Sequence, residues 1–490
     1  MRSLHNLSHR KLSSFNQGYV FPIGCIEALP NDLVAHKVSA ILRTQPLLAP
    51  VMHTCDVKIH HWFVPLRLIW EDFEKFITGG RDGMDETVAP ILDTGAISIG
   101  SLADHLGLPN GGSLTVSALP FRAYNLVINE NYLDQDLQDQ IPISFGSGVD
   151  TTTPVSLRRG CWNKDYFTSA RPTTQKGDDV TIPLEGLAPV EGIGWVGSPT
   201  ISAQTAVKET GGTTKDWANQ LQTYNTNVRI KASGPTGSGF PSVYANLDDV
   251  VAVSVNDLRL AVRLQRFKEN MLNRGSRMVE RLESAFFIPR EDMRLDVPEY
   301  LGGGSDVVQF SEVLQTAEGI DPVGTLAGHG IAFTKSNRYK YRCTEYGFVL
   351  SLAVVRPRTA YMQGIHKMWS RSVKEDYFQP ELQNIGMQPI YNKEIYAAHP
   401  QPNGVFGFQD RDDSYRFMFD QVSGEFRDTL DFWHMARKFA SAPALNGTFV
   451  ECEGVDRVFA TTIADQFLGT FHHDLKIKRL VNQSGRPSVF

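Results

Sequence analysis

Apolar and polar residues alternate from Cys55 to Trp62, with Cys55, Val57, Ile59 and His61 on one side and Asp56, Lys58, His60 and Trp62 on the other. That period of two predicts a long half-buried strand, and Pro65 ends it because it has no N–H to donate. The period then changes. Leu66, Ile69, Trp70, Phe73 and Phe76 recur at helical spacing between acidic and basic residues, and Gly79–Gly80 closes the predicted helix. A short helix is expected near Ser101–Leu106 inside a Gly/Pro/Ser-rich loop over 80–120, and another over Asn125–Gln138 with Asn125 as its cap. The strongest helical pattern starts at Asn256 or Asp257 and carries Leu260, Leu264, Phe267 and Met271. Gly275 interrupts it, and Met278–Phe286 predicts a second helix.

Elsewhere the pattern is β. Tyr341–Arg356 is apolar on both faces around Phe348–Val355, which predicts a central strand packed on two sides. Tyr415, Phe417 and Phe419 alternate with Arg416 and Met418, Leu430–Ala440 suggests a short helix, and Leu475 and Ile477 alternate with Lys476 and Lys478 in a terminal strand with one basic face. Residues 141–246 are rich in Thr, Ser and Gly and weakly patterned, the character of an elaborated insertion that displays a surface. No internal repeat or coiled-coil heptad is visible.

Composition narrows this picture. At 490 residues and 41% hydrophobic content the chain can bury a large core, and no run approaches the ~18 apolar residues of a membrane helix. The start, MRSLHNLSHRKLSS, has no apolar core, so no secretory signal is expected; with Arg2, Arg10 and Lys11 it reads as a basic extended arm. Five scattered cysteines argue against a disulfide framework and fit a reducing compartment. The net charge of −6 means that any contact with nucleic acid is made by local patches, with bulk neutralisation left to another molecule.

Chemistry is sparse. The chain has no GxxxxGK[ST], GxSxG, HExxH or CxxC. His60–His61 and His472–His473 are adjacent on strands, so each pair points to opposite faces and cannot share one ion; His5 and His9 lack a nearby third ligand. The acidic groups Asp410/Asp412/Asp413, Glu451/Glu453 and Glu71/Glu74 could supply the two carboxylates of a glycosidase, but each reads more simply as a turn, an edge or a helix surface. The arginines Arg259, Arg263 and Arg266 read first as a solvated helix face. No cofactor and no catalysis are expected. A β-sandwich whose loops outweigh its strands suits self-assembly, and the alternatives are a carbohydrate-binding or carbohydrate-cleaving sandwich and a single-stranded nucleic-acid-binding protein.

The ordered blocks FNQGYVFPI (Phe15–Ile23), EALP (Glu27–Pro30), HWFVPLRLIW (His61–Trp70), LPFRAYN (Leu119–Asn125) and DYFTS (Asp165–Ser169) carry a resemblance, as do RLDVPEYLGG (Arg294–Gly303), VFGFQ (Val405–Gln409), VSGEFR (Val422–Arg427) and DQFLGTF (Asp465–Phe471). Over nearly its whole length the chain resembles the major capsid proteins of the Microviridae, small single-stranded DNA phages, nearest the gokushovirus side. The resemblance implies a mainly β fold: an eight-stranded antiparallel viral jelly roll with long loop insertions and several helices. It implies an N-terminal arm and extended segment over 1–50, a jelly-roll domain over 51–490, and a surface insertion over 177–246 that builds a protrusion at the three-fold axis. The implied role is a structural subunit of a T=1 icosahedral shell around circular single-stranded DNA, located in the virion and assembled in the bacterial cytoplasm. Implied partners are further copies of the chain, a small basic DNA-packaging protein, a pilot protein, the genome and a host surface receptor. On this reading Arg2, Arg10, Lys11, Phe15, Lys476, Lys478 and Arg479 are candidates for DNA contact. Trp162, Tyr166, Phe167, Trp369, Tyr377 and Trp433 are candidates for subunit interfaces.

Overall fold

Alternating segments form strands in this chain, and continuously apolar ones form strands covered on both sides. The computed structural model describes residues 2–81, 83–178, 180, 190–191, 221–224, 227–230, 244–245, 255–273, 278–288, 296–316, 322, 324–383 and 385–482. The chain divides into two units, residues 1–174 with 274–490, and residues 175–273.

In the first unit the main strands, in chain order, are β1 (Ser3–Asn6), β2 (His9–Phe15), β3 (Tyr19–Ala28), β4 (Leu33–Thr44), β5 (Cys55–Pro65), β6 (Ile91–Ile97) and β7 (Gly111–Ser117). They continue as β8 (Glu299–Val307), β9 (Gln309–Leu314), β10 (Leu326–Lys335), β11 (Tyr339–Arg342), β12 (Gly347–Pro357) and β13 (Phe467–Arg479). A seven-stranded antiparallel sheet runs β1/β2–β13–β4–β10/β11–β9, and a five-stranded sheet runs β8–β5–β12–β3 to the short strand Arg158–Arg159. Setting the short additions aside, β2, β3, β4 and β5 alternate between the sheets, and so do β8, β10, β12 and β13. Four long strands per sheet in that order make a jelly roll, as expected.

Between the sheets lies an apolar layer: Phe15, Val38, Leu42, Phe467 and Phe471 from the first meet Phe21, Ile23, Val57, Ile59 and Val355 from the second. The far face of the five-stranded sheet is buried as well. Val20, Trp62, Val64, Leu350, Leu352 and Val354 pack there against Phe121, Tyr124, Val127 and Ile128 of the helix Leu119–Asn131. β5 is therefore covered on both faces rather than half-buried. Trp62 and Trp70 are both interior.

Several local expectations change. The stretch after Pro65 is a single 3₁₀ turn, Leu66–Leu68, followed by the short helix α1 (Phe73–Thr78), which ends at Gly79 in the left-handed region. Residues 80–120 are not merely a loop: β6 and β7 form a hairpin around α2 (Leu102–Leu106), which Ser101 caps by accepting from the Asp104 N–H. The helix expected over 125–138 is α3 (Leu119–Asn131), and Asn125 sits inside it, bonded to the carbonyls of Phe121 and Pro154. Tyr341–Arg356 is broken at 343–346 into β11 and β12. Residues 413–419 form a 3₁₀ turn (Asp413–Tyr415) and irregular chain rather than a strand, and only Asp431–Trp433 is helical within 430–440. In the second unit α4 (Val255–Asn273) begins before the expected cap, with Arg259, Arg263 and Arg266 exposed. In the first, α5 (Met278–Phe286) is found where expected. Most of 177–246, the expected insertion, lies outside the described residues.

Two buried polar clusters fasten the first unit. Arg122 of α3 donates through Nε to Asp150 Oδ2 at 2.8 Å and through Nη1 to the carbonyls of Ile69 and Gly146. Between the sheets, His473 Nε2 donates to the Ile23 carbonyl at 3.1 Å, so its Nδ1 accepts from His36 Nε2 at 3.0 Å, and His36 Nδ1 accepts from the Tyr339 hydroxyl at 2.9 Å. His61 from the opposite sheet meets Ser351 Oγ at 2.8 Å, and its Nε2 has no partner among the described residues. Burial, reinforced by the neighbouring imidazoles, pushes His36, His61 and His473 each down to about 3. All five cysteines are free; Cys55, Cys161, Cys343 and Cys452 are buried, and burial pushes their thiols well up, to about 11 for Cys161 and about 12 for Cys343 and Cys452.

Candidate nucleic-acid interface and contact surfaces

No layer of the first unit's described core covers the outer face of the seven-stranded sheet, and its residues follow from strand parity. In β13 Phe467, Phe471, His473, Leu475 and Ile477 point inward, which turns Leu468, His472, Lys476 and Lys478 outward. Cross-strand register carries this face across the sheet in rows. One row is Arg10, His472, Ser39 and Lys335; the next is Leu12, Thr470, Ile41 and Phe333. Lys476 lies opposite Ala35, itself opposite Lys340, and Lys478 lies opposite Leu33, itself opposite Arg342. Arg43 and Lys37 complete the set from β4. The acid in these rows, Asp474, is already 3.6 Å from Arg338.

The result is a cationic face with an aromatic ring in it. Phe333 is 64% exposed and stands among the cations, which suits a face that neutralises phosphates with Lys and Arg while offering an aromatic for a base to stack on. Three of the DNA-contact candidates, Arg10, Lys476 and Lys478, share this face, and Arg2 is exposed near its corner beside Asn31. Lys37, Arg43, Phe333, Lys335, Lys340 and Arg342 were not visible as members of a site, because only the sheet register joins them.

The other three candidates belong to the subunit itself. Phe15 has inward parity and stacks on Phe21 with ring centroids 4.0 Å apart, so it offers no face to a base. Lys11 turns in to donate to the carbonyls of Pro22 and His105, and burial lowers its ammonium to about 8. Arg479 is spent on the buried carboxylate of Asp32 at 2.7 Å. The basic start is thus an edge of the sheet, in β1 and β2, and not a free arm.

The interface candidates divide in the same way. Trp162, Tyr166 and Phe167 are buried: Phe167 sits among Tyr361, Phe406 and Phe419, and Trp162 lies under the Arg437 guanidinium at 5.1 Å. Tyr166 and Phe167 build a third core with Ile390, Ile395 and Phe449, and none of the three rings lies on the surface of the subunit. Trp433 is half-buried. Trp369 and Tyr377 are 75% and 54% exposed. Among the described residues no three His, Cys, Asp or Glu side chains are grouped to hold a metal, and no helix is long and apolar enough to cross a membrane.

Residues 1–489 match the family model described as capsid protein (F protein). The chain is 33% identical to capsid protein VP1 of Bdellovibrio phage phiMH2K, across 100% of this chain and 96% of that one. It is 30% identical to capsid protein VP1 of Chlamydia phage 1, across 98% and 94% of the two chains. The same identity, 30%, holds for capsid protein VP1 of Spiroplasma virus 4, across 95% and 90%.

Proposed function

The chain belongs to the capsid protein (F protein) family, and from that premise we propose that its copies close into a T=1 icosahedral shell around circular single-stranded DNA, with the outer face of the seven-stranded sheet turned toward the genome. The role is structural, without catalysis. The observation that carries the genome contact is the set of rows Arg10–Lys335, Lys476–Lys340 and Lys478–Arg342 around exposed Phe333. A whole-chain charge of −6 supports a second element of the reading: a small basic protein supplies most of the neutralisation, and this face supplies positioning. A surface protrusion built from 177–246, a pilot protein, a receptor on the host and assembly in the host cytoplasm complete the proposal. What supports them is the family membership.

Reversing Arg10, Lys335, Lys476 and Lys478 to Glu tests the genome contact. These side chains are exposed, so the subunit keeps its melting temperature within a few degrees. Binding to a poly-dT oligonucleotide loses salt dependence, the slope of log K against log salt flattening by about 3 for four lost phosphate contacts, and particles carry less DNA. An unchanged slope together with full DNA content removes the reading.

A further inference from the structure

Two short segments on the first unit present apolar surface that no other described residue of that unit covers. From 367–378, Met368, Trp369, Val373, Tyr377 and Phe378 are 44%, 75%, 52%, 54% and 44% exposed; from 415–418, Tyr415, Phe417 and Met418 are 50%, 55% and 68% exposed. The segments are fixed to each other. The Arg371 guanidinium lies 4.0 Å from the centre of the Tyr415 ring and 5.9 Å from that of Tyr377, and Arg371 Nη2 donates to Ser414 Oγ at 3.1 Å. The Phe378 N–H donates to the Tyr415 hydroxyl at 3.2 Å, and the two rings stand edge to face at 6.2 Å. The surface is therefore preorganised, and closing a contact over it orders few side chains.

We propose that this Trp369–Met418 patch is a contact between copies of the chain, an inference that rests on the capsid reading and names one of the surfaces that reading requires. Size is the first argument. Five rings of ~200 Å² each, about half exposed, leave roughly 500 Å² of aromatic surface, near the top of what a monomer exposes. That is most of the ~800 Å² per partner that a standard interface buries, with the methionines and the rim still to add. Composition is the second: Trp, Tyr, Phe, Met and Arg are the residues that anchor protein interfaces. Charge is the third. Lys367, Arg371 and Lys374 are balanced by Glu375, Asp376 and Glu381, so the rim suits a surface of mixed sign, such as another copy, and not a polyanion.

The experiment uses the full chain. Trp369→Ser with Phe417→Ser removes two largely exposed rings that make no side-chain hydrogen bond or ring pair among the described residues; Ile463→Ser, at 98% exposure outside the patch, is the control. The double variant, at the wild-type melting temperature, is expected to lose at least tenfold of its assembled species by sedimentation velocity, while the control assembles normally. Separately, Trp369→Cys treated with a short bismaleimide is expected to give a covalent dimer of this chain. Normal assembly of the double variant, or a cross-link that forms to another polypeptide or not at all, overturns the proposal. A wild-type chain that forms no assembly of copies overturns the capsid reading itself, which is a different result.

Discussion

Asp150→Ala is expected to lower the free energy of unfolding by roughly 3–5 kcal/mol, because it leaves a guanidinium buried without its counter-charge. The side chains of Arg122 and Asp150 are 1% and 0% exposed. Burial alone would push the Asp150 carboxyl up, but the N–H and hydroxyl of Thr153, with Arg122, reverse this and hold it below the usual range. The same carboxylate organises the N–H groups of Thr152 and Thr153, so the loss spreads into the chain that pairs with Ile91 at the start of β6. Asp150→Asn keeps one acceptor, for the Thr152 and Thr153 N–H groups, but sets an amide NH2 against the Arg122 Nε–H, so it should recover only a small part of the loss. Urea midpoints at neutral pH measure the series. An Ala variant within 1 kcal/mol of wild type would show that the pair is not what fastens α3.

The second large effect is a dependence on acid. His36, His61 and His473 sit near 3 in the fold and near ~6.5 in the unfolded chain. The unfolded chain therefore takes up protons that the folded one refuses. Their contribution is complete above pH ~6.5 and is lost as the pH falls from there toward 3, by ~1.4 kcal/mol per pH unit for each histidine and ~4 for the three together. The groups facing the cluster add no compensating negative charge: Tyr339 and Ser351 are neutral, His9 stacks on His473 at 4.5 Å, and the Lys11 ammonium further disfavours protonation. His61→Leu with Ser351→Ala removes one of the three with its partner. The stability of that variant between pH 6 and pH 4 should fall less steeply than that of the wild type by about one histidine's share, ~1.4 kcal/mol per pH unit, read from chemical denaturation at each pH. Equal slopes would assign the acid effect to other groups.

Much of the fold was legible because burial leaves a period in the sequence. The seven-stranded sheet is covered on one face, and its terminal strand alternates Leu475, Lys476, Ile477 and Lys478; the five-stranded sheet is covered on both, and β12 from Phe348 to Val355 reads as an apolar run interrupted only by Ser351. The failures share a cause. Tyr415, Phe417 and Phe419 alternate like a strand, but the aromatic spacing there records two rings left outside and one, Phe419, turned into the third core. The β6–β7 hairpin was hidden by the Gly, Ser and Thr that make it. The nucleic-acid face was half visible: β13 announces its own cations, while Lys335, Lys340 and Arg342 join them only through a register set by strands more than a hundred residues apart. Phe15 was misplaced because composition cannot reveal which side of a strand faces in.

The free thiols carry a consequence for life outside a reducing cell. A sulfur must lose its proton to attack an oxidant or an alkylating reagent, and the thiols of Cys55, Cys161, Cys343 and Cys452 are both shut away and held protonated. Such a chain can meet air without scrambling its covalent connectivity through these four thiols. Those four would answer to maleimide only once the fold around them had come apart, which makes them reporters of intactness.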